Sequence, residues 1–183
     1  MLEIKLHGRG GQGVVVASQI LARAFFLMGM YPQCYSLFGG ERRGAPVTSF
    51  LRVDGEKILL KCEIKRPDQM IFMAPDLMDE REIGMILKPE GLILINTSLT
   101  ADQFSRLRTY QLSLVDASSI AEQVGLGRTI NTAVLGAYCR ANSGISMTCL
   151  EDAIKETVPT KVETNLEAAR QAYEMTQVFP VRE

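Results

Sequence analysis

The tightest constraint on this chain is the segment Leu6-His7-Gly8-Arg9-Gly10-Gly11-Gln12-Gly13-Val14. Upstream of it, Leu2, Ile4 and Leu6 alternate with Glu3 and Lys5, the period of a half-buried strand. Downstream, Val14 to Met28 is an apolar-rich stretch of helical length. A glycine cluster between a strand and a helix lets the backbone turn sharply and approach a ligand closely, and the helix N-terminus adds partial positive charge. Gly8, Gly10, Gly11 and Gly13, with Gln12 among them, therefore read as an anion cradle of the kind that holds phosphate. The alternative is a tight strand-to-helix turn with no ligand.

Gly8, Gly10 and Gly13 also satisfy the dinucleotide fingerprint G-x-G-x-x-G. A dehydrogenase of that type places a carboxylate at the end of the second strand, about 20 residues on, to bond the ribose. Here the chain reads Cys34-Tyr35-Ser36-Leu37-Phe38. Glu41 lies beyond, in a second glycine-rich loop, where Arg42 and Arg43 would suit a phosphate or carboxylate, a 2′-phosphate included. The same arginines would equally serve a subunit interface. A stand-alone NAD(P)- or flavin-binding oxidoreductase thus stays open as a reading.

Length and composition narrow the field. The 183 residues suit one domain, spanning 1–183, with a sizeable core; 46% hydrophobic and 22% charged residues are typical of a globular chain. Twenty basic residues against 21 acidic ones give a net charge of −1, which argues against nucleic acid as a partner. The most apolar stretch, Val14 to Met30, is interrupted by Gln19 and Arg23 and is short for a membrane span. The expectation is a cytoplasmic chain with no membrane partner. Cys34, Cys62, Cys139 and Cys149 include no C-x-x-C pair, so no iron–sulfur cluster, zinc site or other metal is expected in this chain, and its cysteines read as reduced and buried. His7 is the single histidine, and a structural role bonded to backbone is expected of it. With no metal-ligand cluster and no assembled triad, the chain should not carry a complete active site, and no catalytic residue is assigned.

Strand-like and helix-like stretches alternate, which predicts an α/β fold: three Rossmann-like layers around a mixed, mostly parallel sheet. Tyr31 to Phe38 is a second strand. Val47 to Val53 and Lys57 to Cys62 flank Asp54-Gly55, predicting an antiparallel hairpin there. Gln69–Ala74, Leu92–Ile95 and Leu112–Val115 are further strands, and Leu77–Leu87 a helix. Asn131–Arg140 is apolar all round and should be a buried helix, with Asn131 either capping it or reaching toward the glycine crevice. Thr100/Gln103, Thr148/Glu151 and Thr160/Glu163 have the spacing of capping boxes. In the last helix Leu166, Ala169, Ala172 and Tyr173 share one face.

Two loops carry a family resemblance. Gly8-Arg9-Gly10-Gly11-Gln12-Gly13 and Phe38-Gly39-Gly40-Glu41-Arg42-Arg43-Gly44-Ala45-Pro46 resemble the gamma subunit of 2-oxoacid:ferredoxin oxidoreductases. The resemblance extends to Arg66-Pro67-Asp68, Asn96-Thr97, Asn131 to Gly136, and Asn165. The Glu-Arg-Arg-Gly-Ala-Pro form is similar to the pyruvate branch (pyruvate synthase) more than the 2-oxoglutarate branch, with the 2-oxoisovalerate enzymes close by. Gly39-Gly40 stands where the family often has Gly-Pro.

The resemblance implies a non-autonomous subunit working with alpha, beta and delta partners. Such an assembly converts a 2-oxo acid and coenzyme A (CoA) to acyl-CoA and CO2, passing electrons to ferredoxin, or runs in reverse. Thiamine diphosphate and [4Fe-4S] clusters would reside in partner subunits. This chain would complete the shell of the active site and handle CoA, through Gly8, Gly10, Gly11, Gln12, Gly13, Arg42, Arg43 and Asn131. A third class of reading is a ligand-free assembly subunit.

Overall fold

The central strands are apolar on both faces, Leu92 to Ile95 being buried throughout, as a sheet covered on both sides requires. The computed structural model describes residues 1–39 and 44–182. In chain order the elements are β1 (Leu2–Arg9), α1 (Val14–Leu27), β2 (Tyr31–Phe38), β3 (Pro46–Asp54), β4 (Gln69–Phe72), α2 (Glu80–Ile86), β5 (Leu92–Asn96), β6 (Gln111–Val115), α3 (Ala117–Gln123), α4 (Asn131–Ala141), α5 (Met147–Thr157), α6 (Val162–Met175) and β7 (Gln177–Phe179). Short 3-10 helices span Pro75–Leu77 and Ala101–Thr109.

The strands form one sheet in the order β2-β3-β1-β4-β5-β6-β7. β1, β4, β5 and β6 are parallel neighbours, while β3 and β7 run against the rest. The larger core packs α1 and α3 to α6 on one face. The smaller one, under α2 and the Ala101–Thr109 turn, covers the β4-β5-β6 half of the other face. This is the expected three-layer α/β arrangement with a mixed sheet.

The antiparallel hairpin is in a different place from the one expected. β3 pairs with β2 from Tyr31↔Asp54 to Phe38↔Val47, across the Gly39–Pro46 connection. It also pairs with β1 from Leu2↔Val53 to Arg9↔Pro46. Both edges of β3 are thereby filled, so Lys57–Cys62 cannot pair with it as the expected hairpin required. It runs instead as irregular chain beside β2, held by Gln33 Nε2 donating to Leu60 O (2.8 Å) and buried Arg52 donating to Cys62 O (2.7 Å). Ile64, fully buried, is its anchor.

Three capping expectations are also corrected. Ser146, not Thr148, caps α5, its hydroxyl accepting from Cys149 N. α6 starts behind Lys161 in the left-handed region (φ 54°) with no side-chain cap, and Thr100 makes no side-chain cap bond. Leu77–Leu87 resolves into the Pro75–Leu77 turn and α2, because Asp79 caps α2 by accepting from Arg81 N and Glu82 N. Of the cysteines, all free, only Cys139 is buried and Cys62 is exposed. Among the described residues no helix is long and apolar enough to cross a membrane.

Candidate functional site

The glycine turn leaves the carboxyl end of β1 where the sheet order breaks between the antiparallel β3 side and the parallel β4 side, the usual place for a ligand crevice in such sheets. Each glycine there answers a separate demand. A Cβ on Gly8 would lie 2.6 Å from Val14 Cγ2, so Gly8 lets α1 fold back closely on β1. Gly13 (φ +85°) sits against Asn131, whose Nδ2 would be 2.8 Å from an added Cβ. Gly11 (φ +99°) faces open space, with nothing within 4 Å of such an atom.

Gln12 braces the turn. Its Oε1 accepts from Arg9 N (2.7 Å) and its Nε2 donates to Met73 O (3.2 Å), just past β4. Met73 O also accepts from Nδ2 of buried Asn96 at the end of β5 (2.9 Å), and Asn96 in turn bonds Ser118 of α3. A polar chain thus ties the carboxyl ends of β1, β4 and β5 to α3. Asn96 and Ser118 were not among the residues expected at the site from the glycine motif. An asparagine closing a fully apolar strand was the available signal.

The second loop is tied to the first. Gly10 N donates to Ala45 O (2.9 Å), and Arg9 Nη1 to Gly44 O (3.0 Å). Arg9 also binds Asp76, whose carboxyl is held below its usual range by that hydrogen bond. Arg42 and Arg43 lie outside the described residues. The expectation of a continuous cradle from Gly10 to Gly13 is narrowed: Gly10 N–H is committed to Ala45, and Gln12 N–H to Arg9 O (3.1 Å). Gly11 and Gly13 meet no backbone acceptor among the described residues. Behind them, α1 has no side-chain cap and no acidic residue in its first turn.

Two clefts flank this turn, separated by the 125–130 loop. One, about 370 Å³, is lined by Arg9, Gln12, Ser118, Glu122 and Arg128. The other, about 480 Å³, is lined by Gly11, Gly13, Val16, Asn131, Lys161 and Asn165. Lys161 Nζ donates to Gly125 O (2.8 Å), pinning that loop while placing a cation in the second cleft. Asn131 is buried, accepts from Thr132 N (2.9 Å) through its own Oδ1, and touches Gly13. Of the two roles expected of it, the structure gives it the second: Ile130, not Asn131, stands at the N-cap of α4, which has no side-chain cap, while Asn131 lines the crevice. Gly136 and Asn165 serve the α4–α6 contact; Asn165 accepts from Thr132 Oγ1 (3.0 Å) and donates to Lys161 O (2.9 Å).

His7 is a packed residue, stacked on Phe72 (4.9 Å between centroids), with Nδ1 3.5 Å from Thr48 Oγ1 rather than on backbone. Burial, and secondarily the Lys5 charge, lower its pKa to about 4. It stands off the clefts. Among the described residues no group of three His, Cys, Asp or Glu side chains could hold a metal.

The fold departs from the dinucleotide-binding pattern in one decisive way. β3 separates β2 from β1, so the end of β2 lies two strand spacings, roughly 10 Å, from the glycine turn. A side chain at the end of β2 is then badly placed for a ribose bound at that turn. What fold and site define is an α/β domain with an uncapped glycine turn and a cationic cleft, outside the dehydrogenase geometry. A family model described as pyruvate ferredoxin/flavodoxin oxidoreductase matches residues 3–175, and the chain belongs to that family. It is 44% identical to the pyruvate/ketoisovalerate oxidoreductases common subunit gamma of Pyrococcus furiosus, over 98% of this chain and 99% of that one. It is 42% identical to the pyruvate synthase subunit PorC of Methanothermobacter marburgensis, over 95% and 97%. The crystal structure of pyruvate oxidoreductase subunit PORC from Thermotoga maritima superposes with a TM-score of 0.82 at 29% identity, covering 97% of each chain. The resemblance to gamma subunits of 2-oxoacid:ferredoxin oxidoreductases is thereby borne out.

Proposed function

We propose that this chain is the gamma subunit of a pyruvate-type oxidoreductase and that its part in the reaction is to hold CoA. The observation that carries the second half is the α1 N-terminus. It is free of any side-chain cap, fronted by Gly11 and Gly13, and opens into a cleft containing Lys161. Directed N–H groups, a helix dipole and an ammonium together suit a phosphate group. Arg42 and Arg43 of the second loop would grip the same anionic ligand or a neighbouring subunit, as guanidinium groups do with phosphate and carboxylate.

In the assembled enzyme the 2-oxo acid would lose CO2, its acyl carbon would pass to the CoA sulfur, and two electrons would leave through iron–sulfur clusters to ferredoxin. Thiamine diphosphate in the partner subunits would supply the carbanion chemistry. This chain's residues bind and orient. Gln12 and Asn96 hold the turn rigid so that the Gly11 and Gly13 N–H groups keep one direction, and Lys161 neutralises the anion.

The pyruvate branch is favoured by the Glu-Arg-Arg-Gly-Ala-Pro loop and by the names of the relatives. One relative is named as a subunit common to pyruvate and ketoisovalerate oxidoreductases. That favours a second reading, in which one such chain serves two oxo acids and leaves the choice between them to its partners.

The test is Lys161→Gln, which removes the charge but keeps a donor for Gly125 O. In the assembled enzyme the KM for CoA should rise about three- to tenfold, with kcat and the KM for pyruvate unchanged, as expected for loss of one partly exposed ion pair with phosphate. An unchanged KM for CoA in an intact complex would overturn the assignment.

A further inference from the structure

β2 is the terminal strand of the sheet, and among the described residues no strand pairs with its outer edge. The register settles which groups face outward. Gly39 N donates to Pro46 O, so residues 31, 33, 35, 37 and 39 bond β3, while 32, 34, 36 and 38 point their main-chain groups away. On the other side of β3, Gly10 N donating to Ala45 O gives the matching alternation, with the odd-numbered residues of β3 bonding β1. Cys34, Ser36 and Phe38 thus present N–H groups at two-residue spacing, and Pro32 a carbonyl, with no backbone partner among the described residues.

Soluble proteins protect such edges with charges, prolines, bulges, covering loops or very short strands. This strand, Tyr31-Pro32-Gln33-Cys34-Tyr35-Ser36-Leu37-Phe38, has eight residues, no charge, and one proline, near its start, which leaves the ladder from Cys34 to Phe38 without such protection in its own sequence. Leu37 is 51% and Phe38 64% exposed, so apolar surface accompanies the open ladder. Beside Cys34 of this strand is a groove of about 320 Å³ lined by Gln33, Cys34, Tyr35 and Lys61. One wall is β2 and the other is the irregular 57–62 segment.

We propose that this edge is an interaction surface that accepts an extended segment of a partner subunit as an eighth strand, with an acidic side chain of that segment meeting Lys61. Strand addition draws its affinity from main-chain hydrogen bonds and its selectivity from flanking pockets. A second copy of this chain fits less well. A two-fold pairing of β2 with itself, centred on the groove, sets Lys61 against its own counterpart, and like charges in an interface are costly. The inference rests on the subunit reading above, since it needs a partner.

Hydrogen exchange resolved to single amides tests it, on the isolated chain and on the complex co-expressed with its alpha, beta and delta partners. The Cys34, Ser36 and Phe38 amides should exchange fast in the isolated chain and slow by about tenfold or more in the complex. Gln33, Tyr35 and Leu37, already bonded to β3, should change little. Lys61→Glu should weaken recovery of the partners by about tenfold. A complex that forms with those three amides still fast overturns this proposal alone. Slowing in the isolated chain that grows with its concentration assigns the edge to a second copy and overturns it too. Failure of any complex to form overturns the subunit reading, and this one with it.

Discussion

At the scale of single residues, His7 shows how a position beside a functional motif can be wholly structural. It is pressed between Phe72 and β3, and its pKa falls to about 4 because burial, reinforced by the Lys5 charge, penalises the imidazolium. The unfolded chain binds a proton near pH 6.5, whereas the native chain resists until about pH 4. This contribution to stability is therefore fully present above pH 6.5 and is lost as pH falls through that window to about pH 4. The 2.5-unit span corresponds to roughly 3 kcal/mol. Urea denaturation from pH 7 to pH 4 should show that decline in the parent and lose most of it in His7→Gln. An equal decline in both would place the sensitivity elsewhere. Gln12 makes the complementary point. A polar side chain inside a glycine cluster invites a reading as a ligand contact, yet its oxygen and one N–H go to Arg9 N and Met73 O.

At the scale of elements, close approach between backbones decides what the sequence could reveal. Gly136 sits in mid-α4, and a Cβ there would lie 1.9 Å from Ala169 O in α6. Gly136→Ala must push the two helices apart, so chemical denaturation should report a loss of about 3 kcal/mol or more, at the top of the range for overpacked sites. A loss within about 0.5 kcal/mol would mean that the crossing is looser than this geometry. Strands and helices with strong periodicity were legible: β1, α1, β2, β5 and α4 lie where apolar spacing put them. Asp54-Gly55 misled because turn chemistry is local, while occupancy of a strand edge is not. β1 takes one side of β3 and β2 the other, a pairing between residues 46–54 and the N-terminus that no short window contains. The capping box at Thr148 failed because Ser146 stands two residues before it and its hydroxyl accepts from Cys149 N. At the site, the glycine turn and Asn131 were legible from spacing, whereas Lys161 and Ser118 arrive through α6 and α3, from far along the chain.

At the scale of the whole molecule, the two faces of the sheet are unequally covered, and the inequality has a thermodynamic consequence. Helices cover one face, but on the other α2 and the Ala101–Thr109 turn reach only the β4-β5-β6 half. Over β3 and β2 lies the irregular 57–66 segment, with Leu59 79% exposed, next to the open edge and exposed Leu37 and Phe38. Apolar surface gathered in one region of a chain, rather than scattered singly, is what an interface leaves behind when its partner is removed. A partner that binds only the folded chain must stabilise it by mass action, by about 2.7 kcal/mol when its free concentration is a hundred times the dissociation constant. For a chain of this size that is a rise in Tm of about 5–10 °C. Calorimetry should find the isolated chain melting at a concentration-independent temperature, and the same chain in the complex melting higher, by an amount that grows with total complex concentration. Equal melting temperatures in the two states would mean that the exposed region stays uncovered on assembly. The glycine turn would then have to draw its rigidity from the Gln12–Met73–Asn96 brace alone, and Lys161→Gln should alter CoA binding without changing the strength of subunit association.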